Sequence, residues 1–131
     1  MGGHGALVLG LRHPGLYRSV SAFAPIAAPS EVPWGEKAFT GFLGADRRPW
    51  RAWDACALLA DGHRFAGELL VDQGTEDRFL STQLRPERLR EACAGAGQPL
   101  SLRMQPGYDH GYFFIATFVA DHLRHHAAAL R

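Results

Sequence analysis

The sequence of 131 residues has few cysteines, almost no charge imbalance and no long apolar run. Its two cysteines, Cys56 and Cys93, are too few and too far apart for a disulfide scaffold or a zinc site, so a reducing, cytoplasmic compartment is expected. A formal net charge of +1 argues against a nucleic-acid partner. No apolar run approaches the roughly 18 residues that span a bilayer, so no membrane association is expected either.

The composition that remains is typical of a globular protein. With 47% hydrophobic and 21% charged residues, the chain can build a core and is not expected to be disordered. Its length is that of one ordinary domain, since domains cluster at about 100–150 residues. Length and composition alone therefore predict a single folded unit.

Apolar periodicity predicts helices and strands in alternation. Helices are expected near residues 6–12, 50–59, 86–95 and 114–123, and strands near residues 19–25, 68–71 and 100–104. Residues 26–49, rich in proline, glycine and aromatic residues, are predicted to form a long ordered loop with a functional role. The alternation indicates parallel βαβ units, and the fold class is predicted to be α/β.

Two polar segments follow two of the predicted strands. Asp72-Gln-Gly-Thr-Glu-Asp77 follows the second strand, and Gly107-Tyr-Asp-His-Gly111 follows the third. Ligands gather at the carboxyl ends of strands in such sheets. An acid after one strand and a histidine after the next is typical of the triad order Ser, Asp, His in α/β-hydrolases. The residues alone leave open which of Asp72, Glu76 and Asp77 would be the acid, or whether these acids only form turns and helix caps.

The chain opens with Met1-Gly-Gly-His-Gly5, which is the pattern that follows the serine of a Gly-x-Ser-x-Gly turn. None of the serines in the sequence lies in such a frame; they are Ser19, Ser21, Ser30, Ser81 and Ser101. A flexible glycine-rich leader would explain the opening residues equally well.

Taken together, these segments resemble the S-formylglutathione hydrolase (esterase D) family of α/β-hydrolase-fold thioesterases. The resemblance covers essentially the whole chain. It is carried by Met1-Gly-Gly-His-Gly-Ala6, Ser19-Val-Ser-Ala-Phe-Ala-Pro25, Pro33-Trp-Gly35, Lys37-Ala-Phe39, Asp72-Gln-Gly74, Gly107-Tyr-Asp-His110 and Phe113-Phe-Ile-Ala-Thr-Phe118, with His122, His125 and His126. It implies that residues 1–131 are the C-terminal half of such a domain, beginning just after the nucleophilic serine, with about three parallel strands and flanking helices.

The resemblance also implies roles for individual residues. His110 matches the catalytic base and Asp77 the acid of the triad. Met1 matches the residue after the nucleophile, whose backbone N–H contributes to the oxyanion hole. The nucleophilic serine is expected immediately before Met1, in a Gly-His-Ser-Met-Gly turn.

Further residues are expected to contact the substrate. Trp34 and Lys37 lie where the family builds part of its acyl and glutathione pocket, and His4 either lines the same pocket or caps the first helix. The pair His122 and His126 has helical spacing, but no further ligand stands at a recognised spacing, so packed histidines are favoured over a metal site.

The activity that the resemblance implies is hydrolysis of S-formylglutathione to glutathione and formate, a step of formaldehyde detoxification, with small acyl esters as further substrates. No metal or organic cofactor is implied, and family members are commonly homodimers. Because the nucleophile is expected before Met1, the 131 residues alone are expected to be inactive. The alternative interpretation is a non-catalytic remnant that acts only as a structural or interaction module.

Overall fold

The computed structural model describes all of residues 1–131 and alternates helices with three strands. The α-helices are α1 (Gly2–Arg12), α2 (Pro33–Leu43), α3 (Ala55–Ala60), α4 (Pro86–Ala96) and α5 (Tyr112–Ala129). The strands are β1 (Val20–Phe23), β2 (Leu69–Gly74) and β3 (Leu100–Gln105). Short 3₁₀ turns cover Pro29–Glu31 and Arg48–Trp53, and a π-helical turn covers Leu80–Leu84. None of the helices combines the length and the hydropathy that a bilayer span requires.

The three strands form one parallel sheet in the order β1-β2-β3, which confirms the predicted α/β class. The central strand β2 is buried at every position, and its sequence Leu69-Leu-Val71 is the continuous apolar run that a strand covered on both faces requires. Its carboxyl end, at Asp72-Gln-Gly74, is buried as well. Polar side chains there must find protein partners, because burial without a hydrogen bond is costly.

The main core lies between the sheet and helices α1, α3 and α4. On the sheet side this core contains Val20, Leu69 and Val71. These pack with Leu7 and Leu11 of α1, Leu58 and Leu59 of α3, and Leu89 and Cys93 of α4. Helix α5 contacts β1 and β2, where His126 lies against Ser19 and Ser21, the neighbours of Val20 that point to the opposite face. The sheet is therefore covered by helices on both faces, as a parallel sheet requires.

The prediction of a long loop over residues 26–49 is wrong, because helix α2 occupies Pro33–Leu43. Pro33 stands at the first helical position, where its fixed φ favours a helix start, and Gly44, with φ +88°, ends the helix. Gly35 lies where a Cβ would come within 2.0 Å of the Pro29 carbonyl oxygen. The prolines and glycines of this segment therefore mark the ends and the close packing of a helix.

The helix predicted over residues 50–59 is interrupted. Asp54 ends the 3₁₀ turn and caps α3, where its Oδ1 accepts a hydrogen bond from the Ala57 N–H at 3.0 Å. At the other end of the chain, α5 is longer than the apolar pattern predicts, because its last two turns carry mainly alanine and histidine.

Candidate active site

The acidic loop begins where β2 ends and places the carboxylate of Asp77 inside the protein. This side chain is fully buried. Its Oδ1 accepts a hydrogen bond from the Phe79 N–H at 2.9 Å, and its Oδ2 accepts one from the Gln73 amide Nε2 at 3.2 Å. These donors hold the carboxylate in one orientation.

His110 lies between β3 and α5 and meets this carboxylate directly. Its Nδ1 lies 2.6 Å from Oδ2 of Asp77, and its ring stands perpendicular to the Phe79 ring, with the ring centroids 5.5 Å apart. A carboxylate can only accept hydrogen bonds, so Nδ1 carries the proton in the neutral ring and Nε2 holds the lone pair. The side chain is 41% exposed, and Nε2 makes no hydrogen bond within the chain. Nε2 is therefore free to take a proton from another group.

The two loops are joined by their backbones. The Thr75 N–H donates to the Gln105 carbonyl oxygen at 3.0 Å, and the Glu76 N–H donates to the Tyr108 carbonyl oxygen at 2.9 Å. Gly74 allows this approach, since a Cβ there would stand 2.2 Å from the Tyr108 oxygen. These contacts explain why an acid after β2 meets a histidine after β3.

The geometry distinguishes among the three acids that the sequence leaves open. Asp77 contacts His110, whereas the side chain of Glu76 is exposed to solvent and makes no hydrogen bond within the chain. Asp72 is buried and is occupied by Arg103, Gln105 and His122. Only Asp77 is placed to orient the His110 ring.

An apolar groove of about 510 Å³ brings together Met1, Trp34 and Lys37, which are far apart in the sequence. Ala38, Gly41 and Phe42 complete its lining. The Trp34 ring lies 4.5 Å from the ring of Phe79, which in turn contacts His110. The groove therefore approaches the acid–base pair through two aromatic rings.

The start of α1 and His110 border the same segment of β1. Gly3 packs so closely that a Cβ would lie 2.7 Å from the Phe23 carbonyl oxygen, and His110 shares a small cavity of about 50 Å³ with Phe23 and Ala24. His4, in contrast, is buried, and its Nε2 lies 2.6 Å from the Trp53 carbonyl oxygen. His4 does not line the groove that holds Met1, Trp34 and Lys37.

Two residues of the site are missing from the expectations drawn from the sequence, Gln73 and Phe79. Gln73 is fully buried and donates to both Asp77 and the Gly74 carbonyl oxygen. A glutamine inside a fully buried strand end is the available signal, because a buried amide needs hydrogen-bond partners. Phe79 lies in a turn that apolar periodicity does not predict, and its ring contacts the ring of His110.

His126 and the two cysteines are held by contacts within the fold. No three His, Cys, Asp or Glu residues are grouped as metal ligands, and the His126 ring lies between the hydroxyls of Ser19 and Ser21 at 2.7 and 2.9 Å. Burial raises the pKa of the Cys93 thiol to about 11 and also raises the pKa of Cys56. Both thiols are therefore protonated and unreactive at neutral pH.

Comparison with known proteins identifies the family. The family model described as "Putative esterase" matches residues 1–125. The chain belongs to this esterase family. An S-formylglutathione hydrolase from Agrobacterium tumefaciens is 52% identical in sequence with a TM-score of 0.96, over 99% of this chain and 47% of that chain. The resemblance drawn from the sequence is thereby confirmed, and this esterase chain spans about half the length of that relative.

Two more distant structures share the fold of this esterase chain. An S-formylglutathione hydrolase from Staphylococcus aureus is 17% identical with a TM-score of 0.70, over 95% of this chain and 50% of that one. A ferulic acid esterase is 22% identical with a TM-score of 0.62, over 94% of this chain and 46% of that one. These two likenesses show that the fold is shared with those proteins.

Proposed function

We propose that this chain carries the acid and the base of a serine thioesterase that hydrolyses S-formylglutathione to glutathione and formate. The single observation that carries the proposal is the 2.6 Å contact between Nδ1 of His110 and Oδ2 of Asp77, which leaves Nε2 free beside solvent. The 52% identity to an S-formylglutathione hydrolase supports the choice of substrate. Asp77 and His110 are the proposed catalytic residues.

In this mechanism the nucleophile is a serine bonded to the amino side of Met1. Nε2 of His110 takes the hydroxyl proton as the serine oxygen attacks the formyl carbon, and the backbone N–H of Met1 donates to the oxyanion. His110 then returns the proton to the leaving glutathione sulfur, which gives glutathione and a formyl-enzyme. Water attacks this ester by the same proton transfers and releases formate, while Asp77 stabilises the imidazolium.

The groove beside the pair is the proposed substrate site. Trp34 offers an aromatic wall that reaches the acid–base pair through Phe79, and the exposed ammonium of Lys37 complements the carboxylates of glutathione. His4 acts on the site through its buried bond to the Trp53 carbonyl oxygen, which fixes the start of α1. No cofactor takes part in this scheme.

A polypeptide of these 131 residues alone has no nucleophile in a Gly-x-Ser-x-Gly frame and is therefore proposed to be inactive. The second candidate function is a structural or interaction module without catalysis. The lack of a serine in that frame is the one observation that favours it. The intact Asp77–His110 contact favours the enzyme.

The test begins with the codons that precede Met1 in the gene. We expect them to encode Gly-x-Ser directly before Met1, and the chain that includes them is called the extended chain below. The extended chain should hydrolyse S-formylglutathione and p-nitrophenyl acetate, and its Ser→Ala variant and the 131-residue chain should not.

Each contrary result overturns a different part of the proposal. Turnover by the 131-residue chain, or an in-frame stop directly upstream, would refute the serine assignment. Cleavage of p-nitrophenyl acetate without cleavage of S-formylglutathione would refute S-formylglutathione as the substrate but would still agree with an esterase activity.

A further inference from the structure

A second carboxylate–histidine pair lies beneath helix α5, on the sheet face that this helix covers. Phe23, Asp72 and Arg103 are register partners on β1, β2 and β3, so their side chains form one row across the sheet. The Asp72 side chain is fully buried in the middle of this row. A buried carboxylate requires donors on both oxygens to be stable.

Three side chains supply these donors. Nε of Arg103 and Nε2 of Gln105 donate to Oδ1 of Asp72 at 2.7 and 2.9 Å. Nε2 of His122 and the second guanidinium nitrogen of Arg103 donate to Oδ2, the His122 contact at 2.9 Å. The same guanidinium bonds Asp121 of α5 at 2.9 Å through its third nitrogen. Asp72 and Arg103 together therefore anchor α5 to the centre of the sheet.

His122 has Asp72 as its only polar contact. The ring is 4% exposed and stacks on Phe23, with centroids 3.8 Å apart and planes 18° apart, and its Nδ1 is buried without a hydrogen-bond partner. Because Nε2 faces a carboxylate and Nδ1 faces no acceptor, the proton lies on Nε2. The bond to Asp72 and the stack on Phe23 thus fix where α5 sits along the sheet.

The stack of His122 on Phe23 and its bond to Asp72 both connect it to the proposed catalytic pair, His110 and Asp77. Phe23 lines the small cavity beside His110, and α5 begins at Tyr112, two residues after His110. On the other side, Asp72 is followed by Gln73, whose amide donates to Asp77. The cluster therefore touches the supports of both the acid and the base.

We propose that Asp72 and His122 are positioning residues that hold His110 at hydrogen-bond distance from Asp77. This role rests on the proposed function, since His110 and Asp77 are catalytic only in that scheme. Loosening α5 by about 1 Å would misalign Nε2 with the serine, and misplacement of that size costs up to about 100-fold in rate.

The test compares His122→Leu with His122→Gln in the extended chain. The leucine variant should lower kcat for S-formylglutathione at least about 10-fold while KM changes less than about twofold. The glutamine variant, whose amide can still donate to Asp72, should recover most of the rate. Leu89→Ala, in the core on the opposite face of the sheet, is the control that loses stability without losing kcat.

An unchanged kcat in folded His122→Leu would overturn the proposal, and so would an equal loss in the leucine, glutamine and Leu89→Ala variants. If His122→Leu does not fold, Asp72→Asn is judged by the same criteria.

A measurement that does not depend on turnover distinguishes the positioning role of Asp72 and His122 from the proposed function. The proton between His110 and Asp77 should give a protected, far-downfield ¹H NMR signal in the extended chain. We expect His122→Leu to broaden or abolish this signal and His122→Gln to retain it. The same pattern in an inactive extended chain would contradict the proposed function alone, whereas an intact signal in His122→Leu would contradict the positioning role.

Discussion

A single oxygen, Oδ2 of Asp77, accepts hydrogen bonds from both His110 and Gln73. It therefore connects the end of β2 to the imidazole ring of His110, the proposed catalytic base. The other oxygen is held by the Phe79 N–H, so the carboxylate cannot rotate away without losing a backbone bond. The orientation of the imidazole depends on this one side chain more than on any other.

Asp77→Asn should lower kcat of the extended chain by about 10⁴-fold, because an amide in this place favours the wrong imidazole tautomer. The rate of S-formylglutathione hydrolysis measures this. The neighbouring substitution Glu76→Gln is the matched control and should leave the rate nearly unchanged, since that side chain is exposed. Equal losses in the two variants would contradict the assignment of Asp77.

At the level of helices and strands, sequence patterns predicted the elements whose packing is regular. The continuous apolar run of β2 and the alternation of Leu100, Leu102 and Met104 in β3 have periods that burial imposes, and both strands are present. Helix α2 was not predictable in the same way, because it has only two buried positions, Gly35 and Phe39.

The residues of the candidate site also differ in how far the sequence predicts them. The family resemblance and the loop position in the sequence predict Asp77 and His110, whereas Gln73, Phe79 and the Asp72–His122 pair depend on contacts between distant residues. Such contacts leave no periodic trace in one sequence.

The junction between the loops after β2 and β3 should not tolerate a side chain at Gly74. Gly74→Ala would drive a Cβ into the Tyr108 carbonyl oxygen, and we expect a loss of at least about 2 kcal/mol in the free energy of unfolding. Gly95→Ala in α4 is the control, because no atom lies within 4 Å of the added Cβ. It should stabilise the extended chain by up to about 1 kcal/mol in urea denaturation. A neutral Gly74→Ala would contradict the close approach of the two loops.

The anchoring of α5 should weaken in acid. Burial alone raises the pKa of Asp72, but hydrogen bonds from His122, Arg103 and Gln105 outweigh it and lower the pKa from 3.8 to about 2. A carboxylate whose pKa is lower in the folded state than in the unfolded state stabilises the fold at pH values above its unfolded pKa. This contribution is lost as the pH falls to the folded pKa. The contribution, on the order of 2 kcal/mol, should therefore disappear between about pH 4 and pH 2.

Urea denaturation of the extended chain between pH 7 and pH 2 measures this contribution. Asp72→Asn should be less stable than the parent at pH 7, and the difference should shrink as the pH falls through that window. A difference that stays constant down to pH 2 would show that Asp72 does not contribute through its charge.

On the scale of the whole molecule, the described residues leave much apolar surface uncovered. Phe42 and Phe113 are 89% and 77% exposed, and Leu123 of α5 is 63% exposed. Strand β1 pairs with β2 on one side only, and an open parallel edge is a template for association. An exposed apolar surface of this kind is typical of a contact with other protein or of a tendency to aggregate.

The 131-residue chain alone should therefore self-associate. Light scattering should show a mass that rises with concentration, whereas the extended chain should keep a fixed, small oligomeric state. A monomeric preparation of the 131 residues that unfolds cooperatively would refute this expectation.

The most direct measurement of the central claim is the single-turnover acylation rate of the extended chain by p-nitrophenyl acetate, followed by intact mass. One acetyl group should appear on the serine that precedes Met1, and His110→Gln should slow its appearance by at least about 1000-fold. Acylation at another residue, or an unchanged rate in His110→Gln, would contradict the assignment of His110 and Asp77 as the base and acid of this esterase.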